Sequence, residues 1–125
     1  MRGLRVVLAE DYFPIRQFIG QVLRAQASVE AVAEADNGGD CIRLVQEIAP
    51  DVAVIDFTLP DLSGLDVARE VRKIRPSTKV VLIIDEMESE YTAPAIQAGA
   101  GACLRKDSIG KELISFLEML QKYKG

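Results

Sequence analysis

Short runs of consecutive apolar residues alternate along this chain with longer segments in which apolar residues recur at spacings of three and four. The short runs have the length of buried β-strands, and they occupy residues 4–9, 29–33, 52–55, 80–84 and 101–104. The longer segments between them have the spacing of helices that bury one face. The pattern therefore predicts five strands, each followed by a helix.

Four of the predicted helices carry a clear apolar stripe that is expected to face the core. The first begins at about Phe13, since Pro14 is tolerated in a first turn, and Pro50 is expected to end the second. The predicted core stripes are Ile15, Phe18, Ile19, Val22 and Leu23; Cys41, Leu44, Val45 and Ile48; Val67, Val71 and Ile74; and Ile109, Leu113, Phe116, Leu117 and Leu120.

The fourth helix has less regular boundaries than the others, and the fifth carries a second apolar stripe. The fourth is predicted to begin between residues 88 and 91, with Pro94 in its first turns, and to end at Gly99. Ser108 is the predicted N-cap of the fifth. A second stripe on the fifth helix is rotated away from the core, so we expect it to be partly exposed as a partner or dimer surface beside strand five and helix four; it consists of Phe116, Met119 and Tyr123.

Five alternating strand and helix pairs predict an α/β fold with a doubly wound parallel sheet. We expect the flavodoxin-like strand order 2-1-3-4-5, with helices covering both faces. In such sheets the working crevice lies beyond the carboxyl ends of the strands, at the point where strands one and three adjoin. Residues that follow those strands are the first candidates for function.

Four charged residues follow three of the predicted strands. Glu10 and Asp11 come after strand one, Asp56 after strand three and Lys106 after strand five. Three carboxylates that converge repel one another, since two like charges about 4 Å apart cost roughly 4 kcal/mol near a protein surface. A divalent cation that prefers oxygen ligands would relieve this repulsion.

Composition narrows the class of protein further. The 125 residues are 49% apolar, which suits one globular domain that buries roughly two-thirds of its unfolded surface. The net charge of −4 argues against direct nucleic-acid binding by this domain. No stretch approaches the roughly 20 apolar residues of a membrane span, and the N-terminus lacks signal-peptide features, so we expect no membrane contact and a cytoplasmic location.

Two residue types limit the chemistry. Cys41 and Cys103 lack the spacing of metal ligands, and we expect both to be unpaired buried thiols. The chain has no histidine, which excludes a Ser-His-Asp triad, a histidine-based zinc site and an internal phosphohistidine. Any phosphohistidine donor must therefore belong to another protein.

Three segments together resemble the receiver domain of bacterial two-component response regulators. They are Val7-Leu8-Ala9-Glu10-Asp11, Val54-Ile55-Asp56-Phe57-Thr58-Leu59-Pro60 with Gly64, and Ala98-Gly99-Ala100 leading to Leu104-Arg105-Lys106-Asp107. The resemblance covers essentially the whole chain in the family's order and spacing. It implies a CheY-like signalling domain over residues 1–125, with a regulatory rather than an enzymatic task.

The resemblance also implies a role for each residue at the crevice. Asp56 would be the phosphoacceptor, supplied by a phosphohistidine on a sensor histidine kinase or a phosphotransfer protein. Mg²⁺ would be held by Glu10, Asp11 and Asp56 with the backbone carbonyl of Thr58, and Lys106 would pair with the carboxylate and then the phosphoryl group. The chemistry agrees, because phosphoryl transfer needs positioning and charge neutralisation more than covalent help.

Three positions depart from the family's pattern. Receivers usually carry Thr or Ser at the position of Ile84, a small residue at that of Asp85, and Tyr or Phe at that of Cys103. Ile84 cannot donate a hydrogen bond to a phosphoryl oxygen, and Asp85, with the acids after it, adds negative charge where that group would form. The usual switch relay is therefore absent, and the alternative is a pseudo-receiver that works through protein contacts without phosphorylation.

Two functions from other classes fit the sequence less well. A phosphatase of the haloacid dehalogenase type would need a second Asp where Thr58 stands, and a flavodoxin would need a phosphate-binding loop where Glu10 and Asp11 stand. The segment Leu104-Arg105-Lys106-Asp107 resembles that of receivers that precede a helix-turn-helix DNA-binding domain. A lone receiver and the N-terminal domain of a longer regulator look alike in sequence, but this resemblance favours the N-terminal part of a longer transcription regulator, with DNA contacted by the output domain.

Overall fold

The computed structural model describes residues 2–124, apart from the side chains of Glu86, Met87, Tyr123 and Lys124. Five strands are present, β1 Leu4–Ala9, β2 Val29–Ala35, β3 Val52–Asp56, β4 Lys79–Ile84 and β5 Ala102–Arg105. The helices are α1 Phe13–Arg24, α2 Gly38–Ile48, α3 Gly64–Ile74, α4 Thr92–Ala98 and α5 Ile109–Lys124. Two 3₁₀ segments, Glu86–Tyr91 and Lys106–Ser108, precede α4 and α5.

The five strands form one parallel sheet in the order β2-β1-β3-β4-β5. This confirms the predicted α/β fold and its strand order. Because side chains alternate across a strand, β4 buries Val80 and Leu82 on one face and Val81 and Ile83 on the other. Helices α2, α3 and α4 cover the first face, while α1 and α5 cover the second.

Local interactions set the two ends of α2. The side chain of Asn37 accepts a hydrogen bond of 2.8 Å from the backbone of Asp40 and so caps α2. At the other end, Ala49 takes a left-handed conformation with φ 52°, and Pro50 prevents the helix from continuing. These two ends fix α2 within the segment that the periodicity predicted.

The start of the fourth helix differs from the prediction. The α-helix begins at Thr92, and the residues before it form the 3₁₀ segment. A capping box between Asp85 and Glu88 starts that segment early, while Pro94 is confined to the first turn of α4 because it cannot donate an intrahelical hydrogen bond. Gly99 ends α4 with φ 114°, as predicted.

Phe18 lies differently from the prediction. The pattern assigns it to the core stripe of α1, but 48% of it is exposed and its ring lies against Gly110 of α5. The pattern assigns Phe116 both to the core stripe and to the exposed stripe of the fifth helix, and the core assignment is confirmed, since Phe116 is 7% exposed and lies between the sheet and α5. Met119 is exposed as expected, and the side chain of Tyr123 lies outside the described residues.

The remaining expectations for the fold hold with small shifts. Strand β2 extends two residues further than predicted, and β5 is displaced by one residue toward Lys106. Both cysteines are free thiols; Cys41 is buried, and Cys103 is only partly buried. Within residues 2–124, no helix is long and apolar enough to cross a membrane.

Candidate functional site

Strands β1 and β3 bring two acidic side chains together at the carboxyl edge of the sheet. Ala9 lies opposite Ile55 in the parallel register, so Glu10 and Asp56 take the next positions on neighbouring strands. Both carboxyl groups are buried, with Glu10 0% and Asp56 1% exposed. Buried acids in contact require a compensating charge or a proton.

Lys106 supplies a compensating charge from the end of β5. Since β4 separates β5 from β3, the long side chain extends across the edge of the sheet to the acids. Its Nζ lies 2.8 Å from Oδ2 of Asp56 and 3.6 Å from Oε1 of Glu10. Burial alone would lower the pKa of Lys106, but close contact with Asp56 and the charges of Asp56, Glu10 and Glu88 raise it above its usual value.

The surroundings of Glu10 raise its pKa strongly. Burial, followed by the contact with Asp56 and its charge, raises the pKa of Glu10 to about 8. The backbone amide of Tyr12, which donates to Oε2 at 3.2 Å, and the charge of Lys106 oppose this shift. At neutral pH, Glu10 therefore holds a proton when no cation is bound.

The loop after β3 holds Asp56 in place. The backbone amide of Thr58 donates to Oδ1 of Asp56 at 2.8 Å, and the amide of Phe57 donates to the carbonyl of Ile83 at 2.9 Å. A Cβ atom at Gly64 would lie 2.5 Å from the carbonyl oxygen of Asp56, so only glycine allows α3 to begin this close to the end of β3. Gly64 thus sets the distance between the start of α3 and Asp56.

Arg16 is a contributor that the sequence analysis missed. Its Nη1 donates to the backbone carbonyl of Glu10 at 2.9 Å, while its Nε pairs with Glu34 at 3.2 Å. These contacts fix the backbone at the point where β1 ends. Nothing in the local pattern marked Arg16, because its partners come from β1 and β2 and not from its own helix.

The carboxylate oxygens of the site meet some of the requirements for binding a divalent cation. Oε1 of Glu10 and Oδ2 of Asp56 are buried, face the same ammonium and lack a well-aligned hydrogen-bond donor in the described part of the chain. Oxygen atoms of this kind are ligands that Mg²⁺ prefers. Asp11 is exposed outside this buried contact, and no group of three His, Cys, Asp or Glu residues among residues 2–124 is arranged to hold a metal.

The three positions that depart from the resemblance lie on β4, on β5 and directly after β4. Ile84 ends β4 and is 4% exposed, so its side chain belongs to the core. Asp85 is exposed and caps the 3₁₀ segment, accepting a hydrogen bond of 3.1 Å from the backbone of Glu88. Cys103 lies on β5 opposite Leu82, and burial raises the pKa of its thiol.

Glu88 is a second residue that the sequence analysis missed. Its Oε2 accepts a hydrogen bond of 2.7 Å from the hydroxyl of Thr58, and its Oε1 accepts one of 3.0 Å from the backbone of Asp85. Beside it, the rings of Phe57 and Tyr91 stack with centroids 5.0 Å apart. The Asp85-to-Glu88 spacing of a capping box could have drawn attention to Glu88, but not to its partner on another loop.

Cavities elsewhere carry no comparable chemistry. A cavity of about 410 Å³ lies at the opposite edge of the sheet, where β1, β3 and β4 begin, and is lined by Leu4, Asp51, Val52, Ser77, Lys79, Met119 and Leu120. An open groove of about 540 Å³ runs between β5 and α5 and includes Leu104, Phe116 and Met119. The acidic pair with Lys106 therefore remains the strongest candidate for function.

Comparison with protein families gives a match over nearly the whole chain. Residues 6–118 match the model described as the response regulator receiver domain. Among curated proteins, the probable transcriptional regulatory protein NarL of Mycobacterium tuberculosis is 35% identical over 89% of this chain and 51% of its own length. The chemotaxis protein CheY of Thermotoga maritima is 27% identical over 96% of this chain and 99% of its own length.

Solved structures give the same result. The receiver domain of the putative response regulator NarL from Mycobacterium tuberculosis superposes with a TM-score of 0.82 at 33% identity, covering 94% of this chain and 98% of that one. A two-component response regulator of the LuxR family from Aurantimonas superposes with a TM-score of 0.86 at 27% identity, covering 94% and 84%. The chain spans about half the length of most of the curated relatives it matches.

Proposed function

The chain belongs to the response regulator receiver domain family, and from that premise we propose that Asp56 accepts a phosphoryl group from a phosphohistidine. The donor would be a sensor histidine kinase or a phosphotransfer protein. The observation that carries the proposal is the buried contact of 2.8 Å between Lys106 and Asp56. A lysine held against a buried carboxylate offsets its negative charge and places a positive charge where transferred phosphate would lie.

In the proposed step, one carboxylate oxygen of Asp56 forms a bond to phosphorus while the bond between phosphorus and the donor imidazole breaks. The freed imidazole leaves with its electron pair and takes up a proton from solvent. Lys106 neutralises part of the charge on the transferring group, and the amide of Thr58 keeps the carboxylate oriented. The product is an aspartyl phosphate on the receiver.

Mg²⁺ is the cofactor that we propose for this site. Glu10, Asp11 and Asp56 would hold it together with the backbone carbonyl of Thr58. When bound, it supplies positive charge that offsets the charge of the phosphoryl oxygens. Metal ligands must be deprotonated, so Glu10 would release its proton as the cation binds. The buried oxygens Oε1 of Glu10 and Oδ2 of Asp56, which both face the ammonium of Lys106, support this assignment.

The proposal extends to the domain, its location and its partners. We propose that residues 1–125 form one cytoplasmic receiver module in a transcription regulator, with no enzymatic task beyond the turnover of its own phosphoryl group. A homodimer through helix α4, strand β5 and helix α5 is part of the proposal, supported by the exposed side chain of Ile96 on α4 and by exposed Met119, which lines the open groove. DNA contact would fall to an output domain.

Phosphorylation by acetyl phosphate tests the proposed function. With Mg²⁺ present, intact-protein mass spectrometry should show one added phosphoryl group, which Asp56→Asn removes and the exposed control Asp66→Asn retains. Lys106→Met should slow the reaction by roughly 10²-fold, the order expected on losing one charge-stabilising group. If no donor yields an adduct, the proposal fails and the phosphorylation-independent pseudo-receiver takes its place.

A further inference from the structure

The segment after β4 is fastened to the acceptor loop by two contacts, although the usual switch side chain is absent. The hydroxyl of Thr58 donates to Glu88 at 2.7 Å, and Phe57 stacks on Tyr91 at 5.0 Å. Thr58 and Phe57 are the two residues that follow the acceptor Asp56. The acceptor loop is thus in direct contact with the 3₁₀ segment.

Glu88 is the charged side chain in this contact, so its position depends on the other charges near Asp56. One oxygen of its carboxylate accepts a hydrogen bond from the Thr58 hydroxyl, and the other accepts one from the Asp85 amide. The two bonds hold the carboxylate between the loop after β3 and the 3₁₀ segment. Its charge is close enough to raise the pKa of Lys106, the residue that contacts Asp56. Through Thr58, Glu88 is in direct contact with the loop that carries Asp56.

We propose that Glu88 is a charge-sensitive latch, held closed by Thr58, that a phosphoryl group on Asp56 opens. The proposal rests on the proposed function, and it concerns how the same site is read out. A phosphoryl group carries about −1.5 to −2 charges at neutral pH. It repels the Glu88 carboxylate in the closed arrangement, and the repulsion falls when Glu88 releases Thr58.

Because of this repulsion, a phosphoryl group on Asp56 favours the open arrangement, in which Glu88 has released Thr58, over the closed one. A modification shifts an equilibrium only as far as its interaction energy differs between the two states. In most receivers an attraction between a switch hydroxyl and the phosphoryl group provides that difference, whereas Ile84 cannot. Release of Glu88 also frees the Asp85 amide and breaks the capping box, so the 3₁₀ segment and the start of α4 rearrange together.

Amide hydrogen exchange with beryllofluoride, a phosphoryl mimic, and Mg²⁺ tests the latch. Bound beryllofluoride should speed exchange of the Asp85 and Glu88 amides at least fivefold in the native sequence. Glu88→Gln keeps a hydrogen-bond acceptor for Thr58 without the charge, so its exchange should change less than twofold. The control Glu90→Gln removes an exposed charge from the same segment and should behave like the native sequence.

A second readout separates the latch from a purely structural role. Because the Glu88 carboxylate repels the bound mimic and Glu88→Gln removes that charge, this variant should bind beryllofluoride at least threefold more tightly, while Glu90→Gln should not. The fluorine resonance of the bound mimic reports occupancy. Full occupancy with unchanged exchange at Asp85 and Glu88 would overturn the latch and leave the proposed function standing. No bound resonance at all would overturn both.

Discussion

At the scale of single residues, the site is built around a shortage of positive charge. Two buried carboxyl groups, Glu10 and Asp56, share one ammonium group, that of Lys106. When no cation is bound, the proton on Glu10 neutralises the second of the two carboxyl groups. In the proposed metal-bound state, a divalent cation would take the place of that proton.

The protonation of Glu10 leads to a stability prediction. The pKa of Glu10 is about 8 in the folded protein against 4.5 unfolded, so the folded state holds the extra proton between those values. Its stabilising effect is complete below pH 4.5 and is lost as pH rises through 8. In metal-free buffer, the free energy of unfolding should fall between pH 5 and 7 by up to about 1.4 kcal/mol per pH unit.

Urea denaturation at each pH measures this slope. The window is nearly free of other titrations because the chain has no histidine. Glu10→Gln cannot titrate and should flatten the profile, while the exposed control Glu118→Gln should keep it. A slope that persists in Glu10→Gln would assign the titration to another group.

Asp11 gives a second prediction at this scale. Its side chain is exposed and not part of the buried contact, yet it adjoins Glu10 at the end of β1. We expect Asp11→Ala to weaken Mg²⁺ binding by at least about tenfold, the order seen when even an outer partner of a metal site is removed. Titration calorimetry measures the affinity, with Asp66→Ala as control. Equal affinity in both variants would place the cation away from Asp11.

At the scale of elements, function depends on how close α3 comes to the end of β3. The Phe57 carbonyl accepts from the Gly64 amide at 2.7 Å, which joins the first residue of α3 to the acceptor loop. A side chain at Gly64 would collide with the backbone at Asp56 and Phe57. The glycine therefore links the position of a helix to the position of Asp56, the proposed phosphoacceptor.

Replacement of Gly64 should affect both stability and chemistry. Gly64→Ala places Cβ 2.5 Å from the Asp56 carbonyl, so the free energy of unfolding should fall by about 1–3 kcal/mol, and phosphorylation should slow. At Gly101 the nearest atom to an added Cβ is the Val80 carbonyl at 3.5 Å, which makes Gly101→Ala a matched control. Denaturant melts and acetyl phosphate kinetics measure the two effects. Equal behaviour of the two variants would contradict the close approach.

Most elements could be predicted because their patterns are local. The run Val80 to Ile84 lacks polar positions and so indicates a strand covered on both faces, as found for β4. The start of α4 could not be predicted from periodicity. There, the side-chain contacts of Asp85, Glu88 and Thr58 favour a 3₁₀ segment, and one of those partners lies about thirty residues away.

At the scale of the whole molecule, the sheet topology assembles a site from residues far apart in sequence. The order β2-β1-β3-β4-β5 places Glu10 beside Asp56 and leaves Lys106 to extend across the end of β4. The sequence located the strand ends, so the meeting of Glu10, Asp56 and Lys106 could be expected. The exclusion of Asp11 from that buried contact depends on loop geometry that no pattern encodes.

The aromatic residues show a second limit of sequence analysis. Phe18 and Phe116 stand at the edges of their helical stripes, where a small rotation decides burial. Helix α1 packs against α5 at Gly110, which leaves Phe18 exposed, while Phe116 faces the sheet. Only the mutual packing of two helices settles such positions, and a single-helix pattern carries no information about it.

The surface of the molecule gives a prediction about self-association. Met119 is 48% exposed beside the groove between β5 and α5, whereas Tyr12 is 61% exposed near the start of α1. If dimers form through helix α4, strand β5 and helix α5, Met119→Glu should weaken self-association at least tenfold, or about 1.4 kcal/mol. Tyr12→Glu should not. Sedimentation velocity measures both, and an equal effect of the two variants would place the interface elsewhere.

The central claim is that the buried acid beside Lys106 is the phosphoacceptor, and reductive trapping tests it most directly. Borohydride converts an aspartyl phosphate into homoserine, which peptide mass spectrometry locates in the sequence. After treatment with acetyl phosphate and Mg²⁺, we predict homoserine at position 56 alone. Homoserine at another acidic position, with Asp56 unchanged, would contradict the account.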